Sequence, residues 1–195
     1  MNLKSTDIEQ IDKLILIGGS AGSFRIVLQI LQQIKKKSDN VIILCLHRLK
    51  TARKGFCETL NSHSKRLVIE PLDKEPIVKG NIYLAPANYH LCVNFDYRFF
   101  LSIEETVYHS RPSINLLFSS ASMVFKDKVT GVILSGANED GANGLKQIEQ
   151  NGGKVIVQNP DDAQIDTMPI AAINNVCSPE IFNSEELVNK MISIC

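Results

Sequence analysis

The stretch Leu14-Ile15-Leu16-Ile17-Gly18-Gly19-Ser20-Ala21-Gly22-Ser23 decides how the rest of this chain is read. Four consecutive apolar residues ending in two glycines have the form of a short strand buried on both faces. Phe24, Ile26, Val27, Leu28, Ile30, Leu31 and Ile34 then recur at helical spacing, so the glycine-serine segment is a turn from strand to helix. A dinucleotide-binding G-x-G-x-x-G fails in every register, because Ser20 and Ser23 stand where Gly18 would need glycines. A P-loop fails as well, because no Gly-Lys-Ser/Thr follows. The pattern that fits is G-x-S-x-G, with Gly18, Ser20 and Gly22. Its small flanking residues let a sharp turn lift a serine hydroxyl clear of a sheet. The helix start beyond it offers free backbone N–H groups to a developing oxyanion. The simpler reading is a tight turn that ends in an ordinary helix cap.

Working outward, Asn40 punctuates the chain, and Val41 to Leu46 reads as a second buried strand. Phe56 to Leu60 suits a short helix and Leu67 to Ile69 a strand. In the middle, Asn81 to Pro86, Leu91 to Phe95 and Arg98 to Ile103 form three short β-rich runs joined by Asn and Asp turns. They read as an antiparallel insertion. Pro112-Ser113 opens a helix carrying Ile114, Leu117, Phe118, Ala121 and Val124. The alternation then resumes: strand Val129 to Leu134, helix Gly141 to Gln150, strand Lys154 to Val157, a short helix Met168 to Asn174, Val176-Cys177, and a last helix from Ser184. Strands alternating with helices give an α/β fold. The expectation is a doubly wound, mainly parallel sheet with helices on both faces and a small antiparallel insertion. Ligands are expected at the carboxyl ends of the strands.

Composition narrows the function. The 195 residues hold 21 Lys plus Arg against 21 Asp plus Glu, so there is no basic excess of the kind a nucleic-acid binder carries. With 44% apolar residues, the length fits one domain, 1–195, able to bury a full core without a metal or disulfide staple. The five cysteines, Cys45, Cys57, Cys92, Cys177 and Cys195, are odd in number and form no C-x-x-C pair. Reduced thiols in a cytoplasmic protein follow from that. The first ten residues have no apolar signal region, and no run is long enough for membrane insertion.

A nucleophilic hydroxyl needs a base, and there are four histidines. His47 directly follows the strand Val41 to Leu46, which puts it at the same sheet edge as Ser20. His109, before Arg111-Pro112-Ser113, is second by position. His63 reads as a solvated helix end, and His90 as a half-buried sheet residue. An acid to orient the imidazole is found at Asp140, after the strand Val129 to Leu134; an N-cap is its plainer role, and Glu139 is its nearest rival. The order Ser20, His47, Asp140 differs from that of an α/β-hydrolase, and too few residues precede Ser20 for that fold.

These residues belong to a larger set. His47 is followed by Gly55-Phe56-Cys57-Glu58-Thr59-Leu60-Asn61. Gly80-Asn81-Ile82-Tyr83-Leu84-Ala85-Pro86 comes next with His90, and then His109-Ser110-Arg111-Pro112-Ser113-Ile114-Asn115-Leu116-Leu117-Phe118. Last are Gly131 to Gly136, Glu139-Asp140-Gly141-Ala142-Asn143-Gly144, Gln158-Asn159-Pro160 and Met168-Pro169. In this order and spacing the chain resembles the catalytic domain of the bacterial chemotaxis methylesterase, the CheB family, from about Lys13 to about Val188. The resemblance implies hydrolysis of glutamate methyl esters on methylated chemoreceptor helices, and deamidation of glutamines in related enzymes. It implies Ser20 as nucleophile, His47 as base, Asp140 as acid, the N–H groups of Ala21 and Ala137 as oxyanion donors, and no metal or cofactor. Arg111, at the same edge, is a candidate for contact with acidic receptor side chains, with a structural ion pair as the alternative.

The sequence departs from the family pattern at Leu46 before the histidine, Arg48-Leu49 after it, Ala137 in place of a methionine, and Ala21 in place of Thr or Ser. Arg48, Lys50, Arg53 and Lys54 form a basic cluster behind the base, suited to Glu-rich helices or to a solvated loop. About a dozen residues precede the first strand, too few for the receiver domain that such proteins often carry. The expectation is a stand-alone catalytic domain, either constitutively active or controlled by another chain. The competing functions are a non-catalytic interaction module of the same fold and a serine esterase with another substrate.

Overall fold

A computed structural model describes residues 11–48 and 55–195. The first ten residues, and with them the reading of the N-terminus, lie outside the described residues, as do Leu49, Lys50, Arg53 and Lys54. Nine strands are seen among the described residues. They are β1 (Leu14–Gly19), β2 (Val41–Leu46), β3 (Val68–Ile69), β4 (Ile82–Leu84), β5 (His90–Val93), β6 (Phe99–Ser102), β7 (Val129–Ile133), β8 (Lys154–Gln158) and β9 (Glu180–Phe182). The six α-helices are α1 (Phe24–Gln33), α2 (Phe56–His63), α3 (Ile114–Phe125), α4 (Ala142–Gln150), α5 (Thr167–Asn175) and α6 (Ser184–Ile194).

Seven strands form one parallel sheet in the order β3-β4-β2-β1-β7-β8-β9, and β5 and β6 form a separate antiparallel pair. All six residues of β1 and of β2 are buried, as expected for strands covered on both faces. Alternation along β1 sends its side chains to two cores. Leu14 and Leu16 join Leu117, Phe118 and Phe125 of α3, Leu145 and Ile148 of α4 and Met168 of α5. Ile15 and Ile17 join Val27, Ile30 and Leu31 of α1, Leu60 of α2 and Leu187 and Met191 of α6. Each such fully buried aliphatic or aromatic side chain contributes about 1.5–3 kcal/mol, so the position of β1 is strongly held.

Chain order reverses at β1. The crossover through α1 carries the chain to β2 on one side, whereas β7 lies on the other. That makes the carboxyl end of β1 the switch point of a doubly wound sheet, where such folds place their ligands.

Two readings are corrected and one is completed. The run Asn81 to Pro86 is not part of the antiparallel insertion: β4 lies between β3 and β2 in the main sheet, leaving only β5 and β6 in the insertion. The chain reaches β4 from β3 through irregular backbone, with no helix to signal a parallel crossover. Between the last two helices, where the sequence marks Val176-Cys177 without assigning a strand, the final strand is Glu180–Phe182. Helix α3 begins at Ile114, two residues later than expected. Ser113 is its N-cap, its hydroxyl accepting from the Leu116 N–H at 3.3 Å, and Pro112 stands outside.

Candidate active site

The turn after β1 is held by contacts that few residues other than glycine permit. Gly22 has φ +89°, and a Cβ there would lie 2.4 Å from Ser135 Oγ and 2.7 Å from Gln164 Cβ. A Cβ on Gly18 would lie 2.5 Å from Ile114 Cγ2, so the bare strand end is what lets α3 approach the sheet. The Ser20 N–H donates to the Ser135 carbonyl at 2.9 Å. The Ser20 carbonyl accepts from Ser23 N–H at 3.1 Å and from Ser23 Oγ at 2.7 Å. Ser23 therefore ties the turn closed instead of capping α1 with its side chain.

His47 is one residue past the register pair Gly19↔Leu46, and its N–H donates to the Gly19 carbonyl at 3.0 Å. Ser20 and His47 thus sit side by side at the ends of adjacent parallel strands, which run about 4.8 Å apart. The imidazole Nε2 lies 2.9 Å from Asp140 Oδ2. Ser110 Oγ lies 3.1 Å from the other ring nitrogen, Nδ1. A carboxylate accepts only, so Nε2 carries the proton and Nδ1 is left with its lone pair. Among the described residues, Ser20 Oγ makes no hydrogen bond to this nitrogen.

Asp140 is fully buried and belongs to two helices at once. It stands before α4 in sequence, yet its carboxylate serves the start of α3. Oδ2 accepts from Ile114 N–H at 2.7 Å, and Oδ1 from Asn115 N–H at 3.0 Å and Ser113 Oγ at 2.9 Å. Otherwise unpaired helix N-terminal N–H groups and the helix dipole both favour a negative charge there. Asn115 returns the contact, its Oδ1 accepting from Gly141 N–H at 3.0 Å and Gly144 N–H at 2.8 Å. The N-cap role for Asp140 is therefore replaced by a longer-range one, and Gly141 occupies the cap of α4. Burial pushes the thiol of Cys45, in β2, well above its ordinary range, and the Asp140 charge adds to the shift.

The remaining candidates fall as follows. The N–H groups of Ala21 and Ala137 have no protein acceptor among the described residues. They lie on neighbouring loops, tied where Ser135 Oγ donates to the Ala21 carbonyl at 2.8 Å. Arg111 forms no ion pair among the described residues; its Nη1 donates to the carbonyls of Ile103 and Glu104. Glu139 is exposed, unlike Asp140. His63 closes α2, hydrogen-bonded to the Thr59 carbonyl. His109 is exposed at a turn tip.

His90 is fully buried rather than half-buried, because residues 103–113 fold over it. Its Nδ1 accepts from Ser113 N–H at 3.1 Å, and Nε2 donates to the Glu105 carbonyl at 2.9 Å. It thereby supports the same helix start that holds Asp140. Arg48 is not a solvated charge. Its side chain is 3% exposed, pairs with Glu70, donates to the Ala85 carbonyl at 3.0 Å and lies 5.0 Å from the Phe56 ring centre. Sequence reasoning gave Ser110 and Asn138 no role, since a serine and an asparagine in polar loops look like ordinary turn residues. Among the described residues there is no cluster of three His, Cys, Asp or Glu suited to a metal, and no helix long and apolar enough to cross a membrane. All five cysteines are free thiols. A polar groove of about 670 Å³, lined by Gly22, Arg25, Gln29, Gln158, Gln164 and Asn189, runs beside the turn without reaching Ser20, His47 or Asp140.

Residues 15–191 match the CheB methylesterase family. The chain belongs to that family. A Leptospira interrogans relative is 38% identical over 180 residues, covering 92% of this chain and 93% of its own. The Clostridium acetobutylicum protein-glutamate methylesterase/protein-glutamine glutaminase is 32% identical over 158 residues, 81% of this chain but 46% of that longer protein. The crystal structure of the Thermotoga maritima CheB methylesterase catalytic domain superposes with a TM-score of 0.86. It is 26% identical, and the match covers 94% of this chain and 98% of that one. The seven-stranded sheet with its small antiparallel pair is thus the fold of a CheB catalytic domain, in a family of hydrolases.

Proposed function

We propose that this CheB-family chain is a cytoplasmic serine hydrolase that removes methyl esters from glutamate side chains of chemoreceptor helices. One observation carries the reading: a buried His47–Asp140 pair at the switch point, one strand from a serine on a glycine-bound turn. Asp140 fixes the proton on Nε2, so Nδ1 is the base. Nδ1 takes the Ser20 proton as Ser20 Oγ attacks the ester carbonyl. The N–H groups of Ala21 and Ala137 receive the oxyanion, where preorganised donors act most strongly. The proton passes from Nδ1 to the departing methoxide, and methanol leaves a glutamyl–Ser20 ester. Water deprotonated by Nδ1 then attacks that ester, restoring Ser20 and freeing the glutamate carboxylate. A glutamine substrate follows the same steps with ammonia as the leaving group. Arg111 serves the substrate edge through the loop whose carbonyls it holds.

The test is methanol release from methylated receptor by the purified chain, with ammonia release from receptor glutamines as a second arm. Release of either supports hydrolysis and names the preferred substrate. Retention of receptor without release of either product supports an interaction module of the same fold and overturns the proposal.

A further inference from the structure

His47 Nδ1 has one lone pair, and the hydroxyl facing it at 3.1 Å belongs to Ser110. Three features fix that hydroxyl. Val107 and Ser110 exchange backbone hydrogen bonds of 3.1 and 2.9 Å across a two-residue turn, with Tyr108 at φ 48° and His109 at φ 62°. Asn138 Nδ2 donates to Ser110 Oγ at 3.3 Å, which occupies an acceptor site and leaves the hydroxyl proton for an outgoing bond. The other acceptor in its reach, the Tyr108 carbonyl, is farther away, at 3.4 Å against 3.1 Å, and also takes an Asn138 N–H at 3.0 Å. The ring itself does not need Ser110 for its orientation. Asp140 holds Nε2, and Asp140 is held in turn by Ser113, Ile114 and Asn115.

We propose that Ser110 is a positioning residue that competes with Ser20 for the base: its hydroxyl donates to Nδ1 in the resting site and must be displaced before Ser20 can give up its proton. The proposal rests on the assignment of Ser20 as nucleophile and His47 as base. One lone pair accepts one hydroxyl, so the serine bonded to Nδ1 excludes the other. Removing the Ser110 hydroxyl frees Nδ1 for Ser20 and speeds acylation. The gain is limited to the worth of one exchanged hydrogen bond, a rise of about two- to ten-fold.

The experiment follows phosphonylation of the full chain by an alkyl fluorophosphonate, reading rate by intact mass and site by peptide mapping. Wild type is expected to carry the label on Ser20, Ser110→Ala to react about two- to ten-fold faster, and Ser110→Thr, which keeps the hydroxyl, to react at the wild-type rate. If Ser110→Ala does not fold, Ser110→Cys replaces it with the same expected rise, since a thiol is a weak donor. An unchanged or lower rate on loss of the hydroxyl overturns the proposal, as does a Ser110→Thr rate equal to that of Ser110→Ala. Label on Ser110, or none on Ser20, overturns the nucleophile assignment itself and so separates the two failures.

Discussion

Replacing Asp140 by asparagine tests the acid where its geometry is most specific. The carboxylate accepts four hydrogen bonds, two on each oxygen. An amide keeps one oxygen and turns the other into a donor. If its oxygen takes the Oδ1 position, Ser113 and Asn115 stay satisfied, while the NH₂ faces Ile114 N–H and His47 Nε2. The imidazole then moves its proton to Nδ1 and ceases to be a base. If its oxygen takes the Oδ2 position, the NH₂ faces Asn115 N–H, and Ser113 must turn its hydroxyl away. Both placements leave one buried backbone N–H unpaired, at about 1–3 kcal/mol. That lowers Tm by roughly 2–12 °C in a chain of this size. Both also remove the negative charge that stabilises the imidazolium, and kcat is expected to fall about 10⁴-fold, the loss typical of a triad acid made neutral. Steady-state methanol release at 25 °C reads the loss of catalysis and chemical denaturation the loss of stability. A kcat within ten-fold of wild type, in a folded variant, refutes the assignment of Asp140 as the group that sets the tautomer of His47.

Further outcomes follow from the same contacts. Gly22→Ala places a Cβ 2.4 Å from Ser135 Oγ at φ +89°, so the turn must shift. Methanol release is expected to fall at least ten-fold, with a stability loss of about 1–3 kcal/mol by denaturation. Thiol labelling at pH 8 is expected to reach exposed Cys177 first and Cys45 last, since burial holds the Cys45 thiol well above its ordinary range; mass spectrometry of partly labelled protein orders the sites. The Asp162 carboxyl lies below its ordinary value, first because of the Ser184 hydroxyl, with the Ser184 N–H adding at 2.6 Å. A lowered carboxyl favours the fold above its unfolded value and loses that contribution as pH falls through the lowered one. An NMR titration is expected to show Asp162 moving up toward the ordinary range in Ser184→Ala.

The parts of this fold legible in the sequence are those written in consecutive residues. Strands β1 and β2 are uninterrupted apolar runs, and a residue that follows such a run must emerge at the sheet edge. Local pattern alone therefore places Ser20 and His47 at the same sheet edge, and the pairing of β1 with β2 makes them neighbours. The rest depends on partners distant in the chain. Strand β4 has the same local pattern as β5 and β6, and only its pairing with β2, some forty residues earlier, separates them. Asp140 has the chemistry of a local N-cap, but three of its donors lie 25 to 27 residues away at the start of α3, and the fourth, His47, 93 residues away. Arg48 reads as one more charge in a basic loop, whereas Glu70, Ala85 and Phe56 enclose it. His90 is buried by a loop that no periodicity marks. Ser110 is set against His47 by a turn and by an asparagine 28 residues on.

The central claim is that the Ser20 hydroxyl attacks a glutamyl methyl ester with His47 as its base. Methanol release from methylated receptor, compared between wild type and Ser20→Ala at equal enzyme concentration, tests it most directly. The account predicts a fall on the order of 10⁶ in kcat with receptor binding retained. Equal rates in the two proteins would contradict it.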